Sequence, residues 1–430
     1  MVENIVVGRD RDDLQKFGQK GVAYIGKHIV GEGEEAHLTN PVLLDVARPH
    51  IILICGKRGC GKSYSGGVIA EEITRLPADI RKNLSVLLLD TMGIYWSSKQ
   101  PNEKDRGLLE KWGLKPQGMD ITFFVPKPHL KSYQDAGIAV DAPFVMPCAD
   151  MRAEDWILTF GFSPLDPHGL LLSRVVKQAQ EHYGAFVLQD LVDLINDDKK
   201  ADPATKDAVA SKFEFAKEWG VFEKEGTAIS DLFSPGKVSV LDISHFSGGT
   251  ESWSVKSMLV GMLSRRIYQE RLEARKIEEK EEMTGETVET IPMAWMIIDE
   301  AHMFLPSGGE TPASEPLLTL VKQGREPGIS LVLITQRPNK LHEDALAQAD
   351  LVISHRLTAQ PDLEALRGIM QTYMFEDIQE YINMLPRQKG TAIILDDNSE
   401  RIFTVTIRPR FSWHSGGSPS AIRRKGLFEK

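Results

Sequence analysis

Apolar residues fall into two arrangements along the chain, and together they divide it into alternating elements. Short unbroken apolar runs recur in "IILIC", "SVLLLD", "KVSVLDI", "MAWMIIDE", "SLVLITQ", "DLVISH" and "GTAIILDD". Rich in β-branched residues and closed by glycine or acidic residues, they predict strands covered on both faces. Between them lie segments with helical spacing: Ser63 to Thr74, "EDWILTFGFSP", "GLLLSRVVKQAQEHYG", and the long "SVKSMLVGMLSRRIYQERLEARKIEEKEE". The last is apolar early and charged late, so its end is either a solvated arm or a coil for a partner. Strands alternating with helices predict an α/β fold with a mostly parallel sheet, whose ligands collect at the carboxyl ends of the strands. Ahead of this pattern, "GVAYIGKHIV" and "PVLLDVA" predict a small β-rich lead-in. The stretch from Thr91 to Gly236 reads as mainly helix and loop, with short strands at "TFFVPKPHL" and "APFVMPC".

The first strong apolar run leads into "GKRGCGKS", which fits G-x-x-x-x-G-K-[ST]. Between a buried strand and a helix, these glycines let backbone N–H groups turn inward and cradle phosphates at the helix N-terminus. The predicted cradle is Gly56, Arg58, Gly59, Cys60, Gly61, Lys62, Ser63 and Tyr64. Lys62 would reach the β/γ-phosphates of ATP, and the Ser63 hydroxyl would help to hold Mg²⁺.

A second apolar run delivers Asp299 and Glu300. P-loop enzymes hold Mg²⁺ with a carboxylate placed this way, so Asp299 is expected at the metal and Glu300 as the group that polarises the attacking water. Adjacent acids favour hydrolysis over phosphoryl transfer to another acceptor, since a kinase excludes water and an ATPase places it. Gln336 closes "LVLITQRP" and is expected either to sense the γ-phosphate and orient water or to cap the strand. Arg325, on the connection between these two strands, would act as an arginine finger in a neighbouring subunit or as a solvated loop residue. His302 in "DEAH" reads as a structural or coupling residue rather than a base.

At 430 residues the chain exceeds the usual single core, so one domain with an insertion, or two domains, is expected. No run of about eighteen apolar residues is present and the start lacks an apolar signal core, so the expectation is a cytoplasmic protein without a membrane partner. Three cysteines argue against a disulfide framework and show no metal-ligand spacing. The net charge of −10 argues against wholesale wrapping of nucleic acid, yet a ring that is acidic outside can carry basic groups along its channel.

The order "GKRGCGKS", "LLLDTMGIYW", "MIIDEAHMFLP", "QGREPGISLVLITQRPNKL" and "DLVISHRL", followed by "MLPRQKGTAIILDD" and "FTVTIRPRFSWHSGGSP", resembles the HerA branch of the HerA/FtsK superfamily of DNA-pumping ATPases. The resemblance runs from about Val42 to Pro419 and is weakest between Ser97 and Lys237. It implies a RecA-like P-loop core over 49–96 and 237–412, a mainly helical insertion over 97–236, a short barrel-like β segment over 1–48 and a tail over 413–430. It further implies a homohexameric ring around double-stranded DNA, with ATP between subunits, Lys62, Ser63, Asp299, Glu300 and Gln336 acting in cis and Arg325 in trans. HerA proteins commonly work beside a NurA-type nuclease, which makes a NurA-like or other effector nuclease the expected partner. The alternative is a nucleotide-gated scaffold that assembles such a complex without pumping DNA. The family's second motif usually carries an acidic residue where this chain has Ile94, within Asp90-Thr91-Met92-Gly93-Ile94-Tyr95. Lys322 and the tail residues Arg423, Arg424 and Lys425 are candidates for DNA phosphate contacts, the tail alternatively being a solvated end.

Overall fold

The computed structural model describes residues 4–31, 36–246, 251–285, 288–370, 381–382, 385–386 and 388–417. The strands in chain order are β1 (Ile5–Val7), β2 (Val22–Val30), β3 (His37–Asp45), β4 (Ile51–Cys55), β5 (Leu84–Asp90), β6 (Ile121–Pro126), β7 (Ala142–Phe144), β8 (Met146–Pro147), β9 (Phe222–Glu223), β10 (Val238–Asp242), β11 (Met293–Ile298), β12 (Ile329–Thr335), β13 (Leu351–His355), β14 (Thr391–Asp396) and β15 (Arg401–Ile407). Thirteen of them form one sheet in the order β1-β3-β2-β15-β14-β13-β4-β12-β11-β5-β10-β6-β7, while β8 and β9 pair separately. From β13 to β7 every neighbour is parallel. The β13–β14, β14–β15, β15–β2 and β2–β3 pairs are antiparallel.

The unbroken apolar runs have a direct cause. Successive side chains of a strand point to opposite faces, and here both faces are packed. Ile51, Leu53 and Cys55 belong to one core, with helices 153–160, 167–183, 251–284 and 314–323 over it. Ile52 and Ile54 belong to a second core, beneath the helix Lys62–Thr74. Leu87 and Leu89 against Val86 and Leu88 repeat the division on β5.

Two expected boundaries fall differently. The β-rich lead-in does not stand apart as a barrel-like unit, because β2 pairs with β15 and makes the lead-in one wing of the central sheet. The helix Arg11–Phe17, capped by the Asp10 carboxylate on the Asp13 N–H, also lies within it. The stretch 97–236 is likewise divided. Its β6 and β7 extend the central sheet next to β10, and the helices over 153–217 pack on one face.

Candidate phosphate-loop site

β4 runs its five residues through the core, and the chain then turns on glycines with positive φ: Gly56 at 148°, Gly59 at 76° and Gly61 at 117°. At Gly56 a Cβ would come within 2.7 Å of Cys60 Sγ and His355 Cβ, so no other residue fits. Gly61 leads into the helix Lys62–Thr74 with no side chain capping it. The first-turn N–H groups therefore face the cradle without a side-chain competitor, as an anion site needs.

Lys62 is only 8% exposed, and its ammonium donates to the Lys57 carbonyl at 3.2 Å. The Ser63 hydroxyl donates to Asp299 Oδ2 at 2.7 Å, across 236 residues of sequence. β11 ends one residue before Asp299, and its neighbour β12 ends at Thr335, so Asp299, Glu300 and Gln336 emerge side by side. Glu300 adopts a left-handed backbone, φ 51°, its N–H donating to Asp299 Oδ1 at 2.9 Å. That turn points its carboxylate back across the site, where Oε2 lies 3.4 Å from Gln336 Nε2. Burial raises the Asp299 carboxyl above the usual carboxylate range, against the Ser63 bond and the Lys62 charge. Burial, then the charge of Asp299, raises Glu300 as well, which makes it a better proton acceptor. His302 bonds Thr335 Oγ1 through Nδ1 at 3.0 Å, and burial lowers it to about 4, so its ring is neutral and not a cation.

The other predicted residues divide. Arg58 and Gly59 are exposed on the loop, while Cys60 is buried beneath it. Tyr64 turns away from the loop, its hydroxyl accepting from the Arg410 N–H and its ring meeting His414 edge-on. Arg325 lies at the opposite end of the sheet. It pairs with Asp350 at 3.1 Å, and Asp350 accepts the N–H of Ile51, the residue that starts β4, whereas the phosphate loop follows the end of that strand. With its side chain 49% exposed, Arg325 does not reach the site of its own chain. Lys322 is engaged by Asp344 at 2.7 Å. Arg423, Arg424 and Lys425 lie outside the described residues.

Several supporting residues lie in stretches that carry the family resemblance, but the sequence assigned them no role. Asp90 accepts the N–H groups of Met92, Gly93, Ile94 and Tyr95 at 2.7–3.1 Å. Burial and the neighbouring Asp242 push this carboxyl up to about 7. The tight loop it builds delivers the Tyr95 hydroxyl to the Ser63 carbonyl at 2.7 Å, bracing the first turn of the phosphate helix. His355 braces the loop from below. Its Nδ1 donates to the Thr391 carbonyl at 2.9 Å, leaving Nε2 to accept from Ser65 Oγ at 2.9 Å. Burial lowers His355 to about 4, so the ring stays neutral, as this pairing requires.

The oxygen donors of Ser63 and Asp299, hard ligands in contact at the cradle, suit Mg²⁺. Among the described residues no helix is long and apolar enough to cross a membrane.

Known proteins match this arrangement. The family profile described as "Helicase HerA, central domain" covers residues 23–267. The DNA double-strand break repair helicase HerA of Saccharolobus solfataricus is 24% identical over 88% of this chain and 67% of its own length. The corresponding protein of Pyrococcus furiosus is 28% identical over 37% of this chain, but the match spans only 31% of that relative. Among solved structures, VirB4 of Thermoanaerobacter pseudethanolicus superposes with a TM-score of 0.58 at 12% identity, covering 90% of this chain and 96% of that one. That likeness establishes the fold, a RecA-like α/β P-loop core. The profile match takes in the phosphate loop and extends over more than half of the sequence, and on that ground the chain belongs to the HerA helicase family.

Proposed function

We propose that the chain is a Mg²⁺-dependent ATPase that moves on or unwinds double-stranded DNA as a hexameric ring, in end processing, repair or defence beside a nuclease. The observation that carries the reading is the meeting of Ser63 with Asp299, next to the facing pair of Glu300 and Gln336, at the carboxyl ends of β4, β11 and β12. Family membership and the names of the relatives support DNA as the substrate.

In this reading the glycine loop and the free first-turn N–H groups receive the phosphates. Lys62 leaves the Lys57 carbonyl and places its charge on the β/γ-phosphates. A bound Mg²⁺, held through Ser63 and Asp299, would neutralise charge that develops on the phosphate oxygens. Glu300, with its carboxyl raised by burial, takes the proton of the attacking water. Gln336, within reach of Glu300 Oε2, orients that water. Arg325 is turned away from its own site, so its contribution would come to a neighbour's phosphates across a subunit interface.

The test is ATP turnover with and without duplex DNA, at several salt concentrations, with mass measured by light scattering. Stimulation by duplex is expected, together with binding that weakens linearly in log salt, at about −0.9 per phosphate neutralised. A basal rate indifferent to DNA, with no detectable duplex binding at low salt, would remove the motor reading and leave the nucleotide-gated scaffold.

A further inference from the structure

A cavity of about 650 Å³ opens from the phosphate loop. That lies within the range of small-molecule sites, about 300–1,000 Å³. Its lining brings Gly61, Lys62 and Ser63 together with the aromatic rings of Trp112, Trp413 and His414. Thr406 and Ile407 of β15 and Pro409 after it also line the cavity, whereas Asp299 and Glu300 are not in its lining. Its lining thus combines phosphate-loop backbone and an ammonium with aromatic surfaces, beside the charged Lys104, Asp105 and Lys389. A nucleotide joins phosphates to a planar heterocycle and so calls for both kinds of surface.

The aromatic end is held in place. The Trp413 N–H donates to the Gln100 carbonyl at 2.7 Å, and the Trp413 carbonyl accepts from Ser97 Oγ at 3.4 Å. Trp112 packs on the small cluster of Leu109, Leu114 and Phe411, and the Lys27 ammonium stands 5.2 Å from the centre of its ring. His414 meets Tyr64 edge-on at 5.2 Å. Trp413 on a main chain held at both its N–H and its carbonyl, and Trp112 on a packed cluster, both half-buried along the cavity, offer flat surfaces for stacking.

We propose that this cavity is a nucleobase subsite: the base of the bound nucleoside triphosphate stacks on Trp413, with Trp112 as a second aromatic surface of the lining. The inference rests on the phosphate-loop reading and deepens it. The chain segment after β15 and the segment around Trp112 thereby become the elements that distinguish a nucleotide from a bare polyphosphate.

The experiment compares the affinities of two probes in the presence of Mg²⁺, ATPγS and inorganic tripolyphosphate, by calorimetry on the full chain. The intact protein is expected to bind ATPγS more tightly than tripolyphosphate. Trp413→Ala and Trp112→Ala should weaken ATPγS by roughly tenfold to a hundredfold, the range of a base–aromatic stack, and leave tripolyphosphate unchanged. Trp413→Phe should retain most of the affinity. Lys62→Ala should weaken both probes, which ties them to one site. If Trp413→Ala fails to fold, the unaltered chain still decides: ATPγS should quench tryptophan fluorescence and tripolyphosphate should not. Alanine variants that bind ATPγS as the intact protein does, or equal quenching by the two probes, overturn the base subsite while the phosphate site stands. An intact chain that binds neither probe overturns both.

Discussion

Glu71 sits in the middle of the phosphate helix, fully buried, and a single carboxylate there holds two arginines that are also fully buried. Arg408 Nη1 and Arg410 Nε each donate to it at 2.9 Å, and the N–H groups of Phe411 and Ser412 add bonds at 3.3 and 3.2 Å. Glu71→Ala removes the shared acceptor, and the two cations fare differently. Arg408 keeps Glu72 at 2.8 Å and the Tyr24 carbonyl at 3.1 Å. Arg410 keeps the Ser98 and Ser412 hydroxyls and a long contact to His414 Nδ1 at 3.5 Å, with no second carboxylate in its ion pairs among the described residues. Breaking one buried pair in this way costs about 3–5 kcal/mol, and the orphaned N–H groups add about 1 kcal/mol or more. Glu71→Gln keeps an oxygen acceptor and should cost roughly half as much by the same reasoning. Glu71→Met combined with Arg410→Met should recover much of the loss, because an apolar pair of similar volume leaves no charge unpaired. The assay is urea unfolding of all four proteins, followed by fluorescence and by circular dichroism. A loss under about 1 kcal/mol for Glu71→Ala, at the level of an exposed pair, would refute the claim that this carboxylate clamps the segment after β15 to the phosphate helix.

Glu300→Gln keeps shape but cannot accept a proton, so ATP should bind and persist while turnover falls by about 10²–10⁴; near-normal turnover would move the role elsewhere. Mixing Arg325→Ala with Lys62→Ala subunits should restore part of the activity, since some interfaces then pair an intact Lys62 with an intact Arg325, and no recovery in subunits shown to exchange counts against action in trans. His50, between Asp45 and Asp350 with Arg9 and Arg325 beyond them, is raised to about 9 by those carboxylates, which outweigh burial. Its folded value exceeds the unfolded one, so its contribution is complete below about 6.5 and is lost as pH rises through about 9. The urea midpoint should therefore fall across that window, and His50→Gln should flatten the fall; an unchanged pH profile in that variant would show that His50 is not the titrating group.

Much of the frame was legible because its signals are local. A strand covered on both faces must be apolar almost throughout; β4 and β11 are wholly so, and β5 and β12 depart only at Ser85, Asp90, Ser330 and Thr335, while the loop glycines are dictated by backbone angles within a few residues. The missing parts depend on partners far away in sequence. Nothing near β2 announces that it will pair with β15, and nothing near Arg408 or Arg410 says that a cation there is buried, because Glu71 lies more than 330 positions earlier. The Asp90 loop looked like a departure from the family pattern at Ile94, yet its work is done by backbone N–H groups that side-chain identity does not reveal. Arg325 was placed on the right connection, but its pairing with Asp350 depends on how β13 lies beside β4.

The β2–β15 pairing sets a timetable for the polypeptide as it is made. His28 lies opposite Val405, so the early wing cannot be completed until almost every other strand has left the ribosome. Loop closure over that distance adds little equilibrium cost, about 0.6 kcal/mol for each doubling of loop length. The penalty is in time: until β15 arrives, β2 has a bare flank on which a second nascent chain could template. The β2–β3 pair carries breaks that shorten this hazard, with register shifts at Tyr24/Gly26 and Lys27/Ile29 twisting the ribbon. At Gly26 a Cβ would come within 2.3 Å of the Thr406 carbonyl, so the late strand docks at a notch that only a residue without a side chain leaves open. Yield of assembled protein should thus be more sensitive to synthesis rate and temperature than its final stability suggests, with Gly26 as the position where that sensitivity is set.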